Sequence, residues 1–140
     1  MNPTSSTYPT YNLYSFIWVA KGLSATLSFF FRHDPGGWLL DDISVNNGTA
    51  ELIKNGGFET GTLHGWNYSG NCYYPYEGYP WYDQKYAKTG YYHYYAPCVG
   101  NGDRISQVFP TIVNSTYVIS FWLTNFRCCG TTEIANITVF

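Results

Sequence analysis

The sequence predicts an all-β sandwich in a single domain. Three observations carry this. Short β-rich runs recur between Gly, Asn and Pro turns, aromatic residues make up 21% of the 140 residues, and charged residues only 11%. So many rings supply apolar area to offset chain entropy, which argues against disorder. A net charge of −2 and a pI near 5.8 offer no basic face for nucleic acid. No apolar run approaches the ~18 residues of a membrane span.

Residues 1–12 are rich in Ser, Thr, Pro and Asn and read as a linker or arm. Leu13 to Val19 and Ser24 to Arg32 are two strand runs split by Lys21-Gly22, a hairpin signal. The second alternates, with Ala25, Leu27, Phe29 and Phe31 on one face and Phe30 alone spoiling the polar one. His33-Asp34-Pro35-Gly36-Gly37 is a turn cluster before a third strand, Trp38 to Val45. Asn46-Asn47-Gly48-Thr49 then predicts a hairpin into Ala50 to Lys54. The glycines of Asn55-Gly56-Gly57-Phe58-Glu59-Thr60-Gly61 predict a bulge or sharp bend, closed by Gly65-Trp66. Residues 67–88 lack a period and read as one long loop. Strands return at Tyr91–Tyr95, Arg104–Phe109, Thr116–Asn125 and Glu133–Phe140.

Eleven of the 15 tyrosines fall between Tyr68 and Tyr95. Tyr and Trp combine a flat apolar face with a hydrogen-bonding tip, which suits sugar rings and protein interfaces alike. Tyr73, Tyr74, Tyr76, Tyr79, Trp81 and Tyr82 are the candidate contact residues, for glycan or for a second subunit. Cys72, Cys98, Cys128 and Cys129 allow three disulfide pairings. A Cys72–Cys98 bridge would close about 27 residues around the aromatic loop, worth some 3–4 kcal/mol. Asn47, Asn67, Asn114 and Asn136 each open an N-x-S/T sequon. Even cysteine count, sequons and few lysines together point to an extracellular, secreted or surface-attached protein. Catalysis finds little support. His33, His64 and His93 sit in unrelated turns or strands, and Glu77 with Asp83 is the one acid pair imaginable in the aromatic loop.

Asn55-Gly56-Gly57-Phe58-Glu59 with Gly65-Trp66 resembles the opening strand of jelly-roll carbohydrate-binding modules of the galactose-binding-like fold. Ile105-Ser106-Gln107-Val108 and Thr116 to Trp122 resemble the middle strands of that family, and Trp38 to Val45, with its Asp41-Asp42, the closing strand. The closing strand precedes the opening one, so residues 13–49 look like the last third of a module and 50–140 like the first two thirds of another. Three outcomes fit: the chain closes on itself as a circular permutant, residues 13–45 complete a neighbouring subunit and propagate a filament, or the order reflects a sequence boundary in a tandem-repeat protein. The expected role is a non-enzymatic, self-assembling structural subunit built from copies of itself. The alternative is a monomeric glycan-binding module. The resemblance also implies one structural calcium, with Asp41, Asp42, Gly57 and Glu59 at the matching positions. Strand alternation places Asp41 with Leu39 and Ile43 and Asp42 on the opposite face, so one of the pair, Asp42, is the expected ligand.

Overall fold

The computed structural model describes residues 10–72, 75–126 and 132–140. Nine strands occur among them: β1 (Asn12–Val19), β2 (Ser24–Asp34), β3 (Gly37–Asn46), β4 (Asn67–Gly70), β5 (Tyr79–Tyr82), β6 (Tyr92–Ala96), β7 (Asp103–Pro110), β8 (Thr116–Phe126) and β9 (Thr132–Val139). They form two antiparallel sheets packed as a sandwich, one ordered β1-β8-β3-β6-β5 and the other β4-β7-β2-β9. Among the described residues there is no helix, and so none long and apolar enough to cross a membrane.

Alternation explains the core. Leu27, Phe29 and Phe31 of β2 are fully buried and face Leu40 and Val45 of β3 and Ile119, Phe121 and Leu123 of β8. Phe29 meets Phe121 edge to face at 5.1 Å between ring centroids, an arrangement the ring quadrupoles favour. Phe30 points outward as expected, but the Arg104 guanidinium lies over its ring at 5.6 Å. Its apolar face is thereby covered from outside the core.

β2 and β3 hold central positions. β2 lies between β7 and β9, and β3 between β8 and β6, while β1 caps the five-stranded sheet by pairing β8 from Asn12↔Leu123 to Val19↔Thr116. β1, β2 and β3 thus pair with strands from the later part of the chain in both sheets.

Three expectations change. Lys21-Gly22 is not a hairpin turn: it carries the chain from one sheet to the other. The backbone groups of this corner bond the 111–115 turn instead, through Ala20 N–H to Ser115 O, Asn114 N–H to Ala20 O and Thr111 N–H to Leu23 O. Ala50 to Lys54 forms no strand beyond an isolated bridge, Asn46↔Glu51. The Glu51 carboxylate accepts from Val45 N–H and Ile53 N–H, and Gln107 bonds both the N–H and the carbonyl of Lys54, so side chains replace the ladder. The 67–88 stretch is also no single loop, because β4 and β5 lie within it as short edge strands. Four residues each, one run containing Pro80, are too short for a periodic signal.

Candidate functional site

The pairing of β5 with β6 sets Tyr79 opposite Tyr95 and Trp81 opposite His93. Leu39 of β3 is in turn opposite Tyr95. These five side chains therefore share the outer face of the five-stranded sheet, while Tyr94 and Leu40 point into the core. Trp81 and Tyr95 lie 4.9 Å apart between centroids, and Tyr79 meets Tyr95 edge to face at 6.1 Å. Gly37 makes this possible: a side chain there would collide with the Tyr95 ring. Pro35, Gly36, Tyr76, Pro97 and Phe126 complete the walls of a groove of about 350 Å³, which lies within the size range of small-ligand sites. Trp81 and Tyr76 are 36% and 56% exposed, enough to offer ring faces to a ligand. Beneath Trp81, burial lowers the His93 pKa to about 4 against the opposing pull of Asp83, so the imidazole is neutral and donates no charge to the groove.

Of the aromatic residues singled out in the sequence, Tyr76, Tyr79 and Trp81 come together here. Tyr82 does not. Strand alternation turns it to the other side, where it stacks on Tyr91 at 6.0 Å and 7°. Tyr73 and Tyr74 lie outside the described residues. Sequence reasoning missed Tyr95 and Phe126 as groove residues. Their signal was the cross-strand pairing, which appears only once β5 is known to exist.

A second constellation joins the opening and closing segments. Asn55 and Phe58 take left-handed backbone conformations, and the Asn55 amide donates to Thr62 O and His64 O. Phe58 is fully buried against Trp66 and Tyr94, and the Trp66 indole donates to Asn55 O. This folded plug presents Gly56 to β3, where Ile43 N–H donates to Gly56 O at 3.0 Å. The β3–β8 register slips between Asp41 and Ser44, and Asp42 has φ of 48°. The bulge overturns the expectation that the two acids face opposite sides. A Cβ on Gly57 would lie 3.3 Å from Asp42 Oδ1 and 3.7 Å from Asp41 Oδ1.

The fully buried Asp41 carboxylate accepts from the Asp42, Lys88 and Thr89 backbone N–H groups. Thr89 Oγ1 donates to Asp42, and Glu59 accepts from Tyr91 N–H and Tyr92 N–H. Burial, then the neighbouring Asp42 charge, pushes the Asp41 pKa up to about 7, and the three N–H donors hold it from rising further. Among the described residues no three His, Cys, Asp or Glu side chains converge as metal ligands. The Glu59 oxygens instead turn toward Gly90, leaving Asp41, Asp42 and the Thr89 hydroxyl grouped beside Gly57. All are hard oxygens, and their excess negative charge, with no cation paired to it among the described residues, fits calcium in donor type. Thr89 carried no sequence signal.

Cys72 and Cys98 form a disulfide, while Cys128 and Cys129 lie outside the described residues. Asn47, Asn67, Asn114 and Asn136 are all exposed. Glu77 and Asp83 do not act as a pair: Asp83 caps its own turn at Lys85 N–H, and Glu77 faces Asp103. No family model, curated protein or solved structure matches the chain.

Proposed function

We propose that the protein is a non-enzymatic, extracellular β-sandwich module that binds carbohydrate in the Trp81–Tyr95 groove. The carrying observation is the pair of rings at 4.9 Å beside an open groove of about 350 Å³. Rings held by a sheet can stack on the C–H faces of sugars with little entropy left to lose, while the Tyr76 and Tyr95 hydroxyls supply polar tips. The exposed sequon asparagines and the Cys72–Cys98 bridge support an oxidising, extracellular setting. Calcium has a structural place in this reading. Asp41, Asp42 and Thr89 would hold it, fastening the plug and the 88–92 segment to the β3 bulge. That ion would supply charge neutralisation.

Affinity electrophoresis against a panel of soluble polysaccharides tests the binding claim. Wild type is retarded by at least one. Trp81→Ala loses retardation with an affinity drop of about 30-fold or more, as for an aromatic hot spot, yet keeps the fold. Retardation that survives Trp81→Ala moves the site elsewhere.

A second reading, self-assembly with copies of itself, is favoured by one feature. β1 is a sheet edge eight residues long, without charge or proline, and leaves Leu13 and Ile17 53% and 73% exposed. Edges of this kind accept another strand unless something covers them.

A further inference from the structure

A buried cluster of oxygens lies where β4, β6 and β7 meet the segment before β5. Asp103 of β7 is 1% exposed, and its Oδ2 accepts from Gly78 N–H at 2.7 Å. The same carboxylate is also reached by the Tyr68 hydroxyl, while Glu77 Oε2, one residue before Gly78, is buried with no hydrogen-bond partner. The Tyr94 side chain is completely buried, and its hydroxyl too lacks a partner. A side chain at Gly78 would overlap that hydroxyl, which places the Tyr94 oxygen against the same peptide that Asp103 holds. Tyr68 approaches from β4, its hydroxyl donating to Cys72 O at 3.3 Å, next to the Cys72–Cys98 bridge. Among the described residues neither Asp103 nor Glu77 has an ion-pair partner.

Buried polar oxygens are almost always satisfied, and two carboxylates facing one another out of water repel strongly. Two neighbouring carboxylates with no cation beside them among the described residues, and the unpartnered Glu77 and Tyr94 oxygens next to Gly78, leave room for a positive charge of small radius. We propose that Glu77, Asp103 and Tyr94 form a second cation site, suited to a calcium-class divalent ion that takes oxygen ligands, with backbone carbonyls and water filling its shell. It lies between two other ties of this region, the Cys72–Cys98 disulfide just past β6 and the Gly78–Asp103 bond to β7. The ion ties the entrance to β5 onto the sandwich. This inference does not rest on carbohydrate binding.

Calcium titrated calorimetrically into the chelator-stripped full chain tests it. Glu77→Gln is expected to bind one equivalent fewer than wild type, or to bind it about tenfold more weakly, whereas Asp42→Asn keeps that equivalent. Terbium luminescence sensitised by Tyr68 and Tyr94 should fall in Glu77→Gln in the same way. Glu77 is only half-buried, so this variant keeps the test open even where Asp103→Asn fails to fold. Equal stoichiometry and affinity in wild type and Glu77→Gln overturns the proposal. So does a chelated protein that Glu77→Gln stabilises while calcium leaves wild type unchanged, because the two carboxyls then share a proton.

Discussion

Deleting residues 1–46 is expected to abolish folding. The deletion removes β2 from between β7 and β9 and β3 from between β8 and β6, so both sheets lose a central strand. With them go Leu27, Phe29, Phe31, Trp38, Leu40 and Val45, each no more than 3% exposed. At about 1.5–3 kcal/mol per buried side chain, the loss is about 10 kcal/mol or more. A domain of this size has roughly 5–15 kcal/mol of net stability, so the remnant cannot hold its fold. Circular dichroism and amide dispersion of the 47–140 fragment give the readout: a collapsed or insoluble chain is expected. A soluble fragment with dispersed amides would contradict this expectation.

The second large effect concerns pH and calcium at Asp41. Its folded pKa, pushed up to about 7 by burial first and the Asp42 charge second, stands above the ordinary 3.8. The stability this shift contributes is therefore fully present below about pH 4 and lost as pH rises through 7. In chelator, the rise from 3.8 to about 7 corresponds to roughly 2–4 kcal/mol lost between pH 4 and 7.5. His33 and His93, whose pKa values burial lowers, act in the opposite sense as pH falls below their ordinary 6.5. Comparing unfolding with and without calcium at each pH cancels their contribution. The ion favours the ionised carboxylate, so calcium should stabilise the protein by roughly 2–4 kcal/mol more at pH 7.5 than at pH 5. Measured in Glu77→Gln, the comparison reports on the Asp41 cluster alone. An equal calcium effect at both pH values would remove the ion from this cluster.

The sandwich was legible because its long strands carry a clean two-residue period: β2, β3, β7 and β8 were all readable from apolar alternation or apolar runs. Which sheet a strand joins was not. Lys21-Gly22 has the composition of a hairpin turn, yet Trp18 packs on Phe109 and Tyr117 while β2 crosses to the opposite sheet. Local turn chemistry cannot distinguish a hairpin from a corner, because both need the same backbone freedom. Of the positions matched to the calcium-type motif, Asp41 and Asp42 lie beside Gly57 because of a bulge, whereas the Glu59 carboxylate turns toward Gly90. Asp103 and Thr89 were invisible as site residues, since their partners lie 25 or more positions away. The groove was half legible. Trp81 and Tyr79 stood out by composition, whereas Tyr95 and Phe126 joined them through pairings to Leu39 and Gly37 that no local pattern encodes.

The most direct test of carbohydrate binding at the groove is a nuclear magnetic resonance titration that follows the indole N–H signals of the five tryptophans. Trp38 and Trp66 donate theirs to Arg32 O and Asn55 O inside the fold and should stay fixed. On adding an oligosaccharide from the polymer that retards the protein, the Trp81 signal is expected to move, together with the amides of Tyr76 and Tyr95. Titrations in which the Trp81 signal stays fixed while Trp18 or Trp122 shifts, or in which no tryptophan responds at saturating sugar, would contradict the proposed site.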